Sequence, residues 1–242
     1  MAVRGVLVIG ASSPIGAAIG QQFADSGALV VGVSADASDD PAFVHHMVAD
    51  LSEPEQTSNV VERTLEEIRG LDVVVLAAAA MPVASAECTT DVQWRTALGA
   101  TLDSAFFVSR AVLPHLRRGS AIVAVTSINA TLAAPSLPAY AAAKAGVEGL
   151  VRQLALEYGP RGVRVNAVAP AMIGNGDLPD VTAGYPLMRT GQPADVAAAV
   201  DFLASPAAGF ITGAVLPVDG GLSIASPAAW LRPDLRARWL PE

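Results

Sequence analysis

The sequence is poor in cysteine, lysine and charged residues in general. Its 242 residues include one cysteine, Cys88, so no disulfide can form within the chain, which fits a reducing compartment. Charged residues make up only 16% and the formal net charge is −8 without a basic block, so we expect neither nucleic acid nor an anionic membrane as partner. No window offers the roughly 20 apolar residues of a membrane-spanning helix. We therefore expect a cytoplasmic protein.

The only lysine of the chain lies four residues after a tyrosine. Fourteen of the fifteen basic residues are arginine, and Lys144 is the exception. Tyr140 precedes it by four residues in an alanine-rich stretch that favours helix, so both side chains would share one face. An ammonium beside a phenol lowers the phenol's pKa from about 10, which would make Tyr140 an acid and base usable near neutral pH. A pair with this spacing is common by chance, so other residues must support the interpretation.

Short apolar runs alternate with helical stretches along the whole chain. This alternation predicts an α/β fold, a single doubly wound domain over residues 1–242 whose mostly parallel sheet has helices on both faces. We expect the third strand to close near Asp50, where Ser52 and Glu55 have the spacing of a helix capping box. The other strands are expected at 6–9, 29–33, 72–76, 121–126, 163–168 and 214–218, and helices near 91–117, 139–158 and 194–204.

Ligands of such sheets bind beyond the carboxyl ends of the strands. The segments that follow strands should therefore line one crevice: Gly10, Asp50, Ala77–Ala80, Ser127 and Pro170. Gly10–Gly16 lies between a strand and a helix, where backbone N–H groups and the helix dipole can hold a pyrophosphate. A tight turn that needs glycine would produce the same pattern.

These segments together resemble the short-chain dehydrogenase/reductase family. Gly10–Gly16, Asp50, Ser127, Tyr140 with Lys144, Asn166 and Pro170 have the family's order and spacing, and the resemblance covers residues 4 to about 222. It implies a Rossmann-type domain with a seven-stranded sheet that binds NAD or NADP. It also implies an oxidoreductase that interconverts a ketone and a secondary alcohol by hydride transfer. Residues 223–242 form an extension that would either clasp a neighbouring subunit or cover the active site.

The resemblance assigns roles to individual residues. Tyr140 would be the general acid/base, Ser127 would bond the substrate oxygen, and Lys144 would hold the ribose and lower the tyrosine pKa. Thr101 stands where the family has an asparagine that positions a water, so the proton relay would either run differently or be weaker. The cofactor contacts implied are Gly10, Ser12, Ser13, Ile15, Gly16, Ser34, Asp36, Asp50, Leu51, Ala77, Ala78, Tyr140, Lys144, Pro170 and Ile173.

Several positions depart from the family's nucleotide pattern. Ile9 and Pro14 replace a threonine and a glycine, and alanines replace the usual Asn-Asn-Ala-Gly. Pro14 removes one N–H near the phosphates, although its φ suits a helix start. Ser34 stands where NAD-dependent members have an acidic residue, and Asp36 could replace that residue and repel a 2′-phosphate. NAD and NADP both stay open, with NAD favoured.

The substrate and the assembly are less closely specified. Apolar residues suggest a pocket for a compact, uncharged substrate: Leu132, Leu137, Leu178, Tyr185 and Met188. A 3-oxoacyl reductase and a dehydrogenase of small secondary alcohols or sugars fit equally well. A binding protein without turnover, acting as a sensor or structural subunit, is the alternative outside catalysis. The helices at 103–117 and 144–158 carry more apolar surface than one sheet face needs, and the resemblance implies that they pair subunits into a homotetramer. His45 with His46 lacks the companions of a metal site.

Overall fold

The computed structural model describes residues 3–68 and 70–238, and its centre is a parallel β-sheet of seven strands. Each strand is short, and most consist of aliphatic residues buried on both faces, as expected for a parallel sheet between helices. The strands are β1 (Gly5–Ile9), β2 (Leu29–Ser34), β3 (His45–Val48), β4 (Val73–Leu76), β5 (Ala121–Val125), β6 (Arg164–Pro170) and β7 (Val215–Val218).

Helices connect the strands and cover both faces of the sheet. Prolines stand in the first turn of several helices, where their missing N–H costs nothing and their φ is already helical. The helices are α1 (Pro14–Asp25), α2 (Pro54–Glu67), α3 (Asp91–Leu98), α4 (Ser104–Val112), α5 (Pro138–Tyr158), α6 (Pro193–Ala204), α7 (Pro227–Leu231) and α8 (Pro233–Arg236).

Two hydrophobic clusters hold the layers together, one on each face of the sheet. Helices α2, α4 and α5 contribute Val60, Val108 and Val151 to the first cluster, together with Leu7 from the sheet. Helices α1 and α6 pack on the opposite face, where Phe23 is fully buried. Both faces of the sheet are therefore covered, and the α/β doubly wound fold expected from the sequence is confirmed.

The order of the strands determines where a ligand can bind. The sheet runs β3-β2-β1-β4-β5-β6-β7, so the chain moves outward in one direction from β1 and then returns to begin the other half at β4. Connections leave β1 and β4 toward opposite edges, and a crevice opens at their carboxyl ends. This is the Rossmann strand order, and the crevice positions the site described below.

The predicted helix at 91–117 is not continuous. It is interrupted by a π-helical turn at Gly99–Asp103, so α3 and α4 are separate helices. The predicted capping box at the start of α2 is wrong, because Glu53 is the N-cap and makes no side-chain cap bond. The Ser52 hydroxyl donates instead to Asp50 Oδ1 at 2.6 Å. This bond links Asp50 and Ser52 in the loop that precedes α2.

The C-terminal part contains β7, at an open edge of the sheet, followed by two short helices. Asp219 accepts backbone N–H bonds from Gly221 and Ser223 at 2.9 Å each, which fixes the turn after β7. Helices α7 and α8 then run to residue 236, and residues 239–242 of the predicted extension lie outside the described part of the chain. Among the helices of the described residues, none is long and apolar enough to cross a membrane.

Candidate active site

A cavity of about 900 Å³ opens at the carboxyl ends of the strands. It reaches from Ser34 and Asp36 after β2, a part called here the β2 end, to Tyr140 and Tyr185, the tyrosine end. Most of the residues predicted for the site line it: Gly10, Ser12, Ser13, Ile15, Ser34, Asp36, Asp50, Leu51, Ala77, Ala78, Ser127, Tyr140, Lys144, Pro170 and Ile173. Among the residues predicted to be catalytic or to contact the cofactor, Gly16 and Thr101 are the two that do not line it.

The turn between β1 and α1 forms the floor of the cavity. Gly10 has a φ of 85°, and a Cβ there would lie 2.7 Å from the backbone of Ala77 and Ala78, so only glycine fits. Ser13 caps α1 by accepting the Gly16 N–H at 3.0 Å. The Gly16 N–H is thus bonded within the turn, and Gly16 does not line the cavity. The Ile15 N–H belongs to the first helical turn, whose donors have no acceptor inside the helix.

Asp50 and the alanines after β4 form the wall near β2. Asp50 is exposed to the cavity. Its Oδ1 accepts two hydrogen bonds from Ser52, from the backbone N–H at 2.9 Å and from the side-chain hydroxyl at 2.6 Å. Ala77, Ala78 and Ala79 present methyl groups only, so this wall is smooth and apolar. A flat aromatic ring could lie against it.

Tyr140 lies in the first turn of α5, half-buried, beside Ser127 after β5. Ser127 is 5% exposed, and its oxygen accepts the Asn129 N–H at 3.2 Å. Burial raises the pKa of Tyr140, and its hydrogen bond with the Ser127 side chain opposes this shift. The two hydroxyl groups therefore form a pair at the tyrosine end of the cavity.

Lys144 follows one turn later and is 3% exposed. Its Nζ donates to the Val125 carbonyl at 2.6 Å and lies 5.7 Å from the centre of the Tyr140 ring. Burial lowers the pKa of Lys144 to about 8. The sequence argument expected this ammonium to lower the tyrosine pKa. In the cofactor-free structure the ammonium faces a backbone carbonyl, and burial dominates the pKa of Tyr140. The lowering of the tyrosine pKa by Lys144 therefore stays a prediction.

Thr101 lies in the π-helical turn and is 2% exposed. Its hydroxyl oxygen accepts the Ala80 N–H at 3.3 Å, so it braces the loop after β4. Two neighbours line the cavity in its place: Ala100, and Ser104, whose hydroxyl donates to the Ala100 carbonyl at 2.7 Å. The interrupted helix therefore places Thr101 behind the cavity wall. Sequence spacing gave no sign of the extra residue in this turn.

The lining of the tyrosine end is partly as predicted. Leu137 and Tyr185 line the cavity, and the Tyr185 hydroxyl accepts the Met172 N–H at 3.2 Å. Three residues expected beside them do not line it and are exposed instead: Leu132, Leu178 and Met188. Residues that sequence reasoning missed are Met81, Asn129, Met172 and Leu222. Met81 and Met172 lie in loops, and Asn129 and Leu222 lie in single 3-10 turns, which are too short for a periodic pattern to show which way a side chain points.

Charged groups are scarce in this cavity. Among the described residues that line it, the charged ones are Asp36 and Asp50 at the β2 end and Lys144 behind Tyr140. Within residues 3–68 and 70–238, no cluster of His, Cys, Asp and Glu could hold a metal ion. The site therefore offers hydroxyl groups, one amine, backbone donors and apolar walls.

A Rossmann sheet with a Tyr-Ser-Lys group beside its crevice defines a class of dinucleotide-dependent oxidoreductases, and known proteins agree. A family model described as enoyl-(acyl carrier protein) reductase matches residues 10–223. A cis-4-hydroxycyclohexanecarboxylate dehydrogenase of Sinomonas cyclohexanicum is 35% identical over 91% of this chain and 96% of its own. The 3-oxoacyl-[acyl-carrier-protein] reductase FabG of Vibrio cholerae is 35% identical over 89% of this chain and 96% of its own.

The solved structures give the same result. The aldohexose dehydrogenase of Thermoplasma acidophilum superposes with a TM-score of 0.88 at 32% identity, covering 93% of this chain and 96% of that one. The chain belongs to the short-chain dehydrogenase/reductase family, as its motifs indicated. It is an oxidoreductase acting on CH–OH or carbonyl substrates, and its family uses NAD or NADP in general.

Proposed function

We propose that this protein is an NAD(P)-dependent oxidoreductase that interconverts a neutral ketone and a secondary alcohol, with Tyr140 as general acid/base. The observation that carries the proposal is the meeting of Ser127, Tyr140 and Lys144 on one wall of the 900 Å³ cavity. Two hydroxyl groups and an amine so arranged can move a proton at a substrate oxygen. A protein that only bound a dinucleotide would have no use for the group.

The residues present fit a nicotinamide dinucleotide. The first turn of α1 offers backbone donors to a pyrophosphate, and Ala77 and Ala78 offer a smooth surface to an adenosine. Asp50 and Leu51 would contact the adenine, Lys144 the nicotinamide ribose, and Pro170 and Ile173 the carboxamide. A bound nicotinamide supplies the hydride acceptor or donor.

The chain's own residues donate and accept the proton of the reaction. Ser127 is 5% exposed and its oxygen already accepts one N–H, so its hydroxyl proton is available to a substrate oxygen or to Tyr140. Tyr140 gives up its proton in reduction and takes one in oxidation. Because burial raises its pKa in the cofactor-free protein, it rests as the neutral acid. A positive charge brought near it would lower that pKa.

The lining favours an uncharged substrate. Met172, Leu137 and Tyr185 surround the tyrosine end, and in the part of the lining that the structure describes no arginine is available to pair with a carboxylate or phosphate. Small secondary alcohols and sugars fit this chemistry. A 3-oxoacyl thioester is neutral at its reacting end, so it stays as the second substrate class, supported by the likeness to the Vibrio cholerae reductase.

We also propose a homotetramer in the cytoplasm, built from single domains. Most apolar residues that suggested the interface, including Val108, Val147 and Val151, are buried within their own chain. The support that remains is Phe106 on α4, which is 43% exposed, and Phe210 outside the two helices, which is 105% exposed. Light scattering tests the assembly, since a monomer would contradict it.

Turnover with a panel of substrates tests the proposed function. The purified protein is mixed with NAD⁺ or NADP⁺ and a series of neutral secondary alcohols and sugars, and formation of the reduced nicotinamide is followed by absorbance. The reverse reaction uses matching ketones and a 3-oxoacyl thioester. Turnover of at least one neutral pair is expected. Turnover restricted to anionic substrates would contradict the assigned class.

A further inference from the structure

Tyr185 lies in the segment between β6 and α6, and its ring is held against the turn that follows β7. A Cβ added to Gly220 in that turn would lie 3.2 Å from the tyrosine ring, so the ring packs directly on the glycine. Two residues later, the Leu187 N–H donates to the Gly220 carbonyl at 3.2 Å. The whole tyrosine is only 5% exposed. Its ring therefore has a defined position in the cofactor-free protein.

The hydroxyl group of Tyr185 is held by Met172, in the loop after β6. The Met172 N–H donates to the phenol oxygen at 3.2 Å. The Met172 carbonyl in turn accepts the Gly191 N–H at 3.0 Å, and the Gly174 N–H donates to the Gly191 carbonyl at 2.8 Å, so the donor of this bond is itself fixed. Tyr185 and Met172 both line the tyrosine end of the cavity.

The count of donors and acceptors leaves the phenol proton of Tyr185 unused. A backbone N–H can only donate, so the phenol oxygen accepts in the bond with Met172. The hydroxyl keeps its own proton, and no acceptor for it lies within hydrogen-bonding distance in residues 3–68 and 70–238. An almost completely buried donor without a partner costs free energy. Because Tyr185 lines the cavity, the acceptor must come from what fills the cavity, either water or a ligand.

Tyr185 is separate from the two residues proposed to meet the reacting oxygen. Ser127 and Tyr140 are hydrogen-bonded to each other, and Tyr185 is bonded to neither. Two other polar side chains of the lining, Asn129 and Asn175, are half-buried and exposed, so water can reach their amides. The buried Tyr185 hydroxyl is therefore the donor whose satisfaction depends most on the ligand.

We propose that Tyr185 is a specificity-determining residue whose hydroxyl donates a hydrogen bond to a second oxygen of the substrate, distinct from the reacting oxygen. The substrate class is then a ketone or secondary alcohol that carries a further acceptor oxygen, in a hydroxyl, ether or carbonyl group. An alcohol whose remainder is hydrocarbon would leave the Tyr185 proton without a partner in the complex. This inference rests on the proposed function and narrows it, since sugars and 3-oxoacyl thioesters both carry such an oxygen.

Pairs of alcohols that differ by one ether oxygen test the inference. In 3-methoxy-2-butanol and 3-methyl-2-pentanol, and likewise in 4-methoxy-2-pentanol and 4-methyl-2-hexanol, an oxygen replaces a CH₂ group. An ether oxygen accepts a hydrogen bond but cannot donate one, so it reports on a donor in the protein. Steady-state kinetics with a saturating oxidised nicotinamide dinucleotide gives kcat/KM for each alcohol. The wild type should favour the ether in at least one pair.

Tyr185→Phe keeps the ring against Gly220 and removes the hydroxyl. In the pair that the wild type favours, the ratio of kcat/KM for the ether to kcat/KM for the alkyl alcohol should fall about fivefold, the factor given by one net hydrogen bond. Tyr158→Phe is the matched control, because it removes a hydroxyl outside the cavity and should keep the wild-type ratio.

A merely structural role of Tyr185 has a different signature. Loss of the bond from Met172 would loosen the loop after β6, which would lower kcat/KM for both alcohols of a pair and weaken NADH binding. The ratio within the pair would then stay at its wild-type value. Calorimetric titration of NADH into Tyr185→Phe measures the second effect.

The outcomes are distinct. An unchanged ratio in Tyr185→Phe, whether or not NADH binding weakens, overturns the donor role of Tyr185. A wild type that favours the alkyl alcohol in both pairs overturns the substrate class and leaves the proposed oxidoreductase intact. Turnover of none of these alcohols and of no other neutral substrate by the wild type overturns the proposed function and this inference with it.

Discussion

The two ends of the cavity differ in how they depend on side chains. At the β2 end the chain departs from its family at Ile9, Pro14 and the alanines after β4, and yet the turn, the N-cap and the smooth wall are all formed. At the tyrosine end Ser127, Tyr140 and Lys144 are all kept. Backbone groups and small surfaces tolerate substitution, whereas proton transfer needs particular atoms. The proposed nucleotide site can therefore vary in sequence more than the proposed catalytic site can.

The largest effect is expected at the tyrosine end. Tyr140→Phe removes the hydroxyl that we propose as the proton donor and acceptor, and kcat should fall about 10²- to 10⁴-fold. Steady-state kinetics with the best substrate pair measures it. Tyr158→Phe is the matched control on the same helix, since Tyr158 does not line the cavity. Near-normal turnover of Tyr140→Phe would remove this residue from the mechanism.

Lys144 should make stability depend on pH. Its folded-state pKa of about 8 lies below the ordinary value, so the unfolded chain binds more protons between these values and stability rises with pH across that window. Relative to Lys144→Met, the cofactor-free wild type should gain roughly 2 kcal/mol in free energy of unfolding between about pH 7 and about pH 9.5. Urea titrations at both pH values measure the gain. If the free energies of unfolding of the two proteins changed with pH in parallel, the folded protein would hold the charged Lys144 without a free-energy penalty, which would contradict the prediction.

A backbone change tests the turn between β1 and α1, which forms the floor of the cavity. In Gly10→Ala the new Cβ would lie 2.7 Å from backbone atoms of Ala77 and Ala78 at a φ of 85°, which should cost about 2 kcal/mol of stability and weaken dinucleotide binding. Gly27→Ala is the control, with a φ of 84° and no atom within 4 Å of the added Cβ. Equal losses in the two variants would mean that backbone strain, and not the close approach, matters at Gly10.

The smallest effect concerns a single exposed charge. Asp36→Asn removes a negative charge beside the expected position of a 2′-phosphate, and NADPH should bind about threefold more tightly while NADH changes little. Asp39→Asn is the control, because it lies in the same loop but does not line the cavity. The gain should shrink at high salt, since exposed charges are screened. A gain that salt does not reduce would point to a cause other than charge.

The sequence predicted the sheet well because parallel strands leave a direct mark. The run Val73–Leu76 is apolar throughout, and Ala77, the residue that follows it, lines the crevice. The break between α3 and α4 left no such mark. A π-helical turn adds one residue without changing composition, so Thr101 was expected in the cavity and lies behind its wall.

The sequence predicted the site residues that belong to a motif. It did not predict which hydrogen-bond partner each side chain has. Tyr140 and Ser127 meet, as the resemblance to the family implied. The partner of Lys144, the Val125 carbonyl, depends on how deeply α5 packs against β5, which no local pattern encodes. The bond between Ser34 and His46 likewise joins two strands and was invisible in the sequence.

Titration of NADH into the wild-type protein tests the central claim most directly, namely that the altered nucleotide end still works alongside an intact chemical end. The account predicts saturable binding at submillimolar concentration, with a stoichiometry of one per chain and weaker binding of NADPH. Absence of binding by either cofactor would contradict it. That result would mean that Ile9, Pro14 and the alanines after β4 have abolished the nucleotide site.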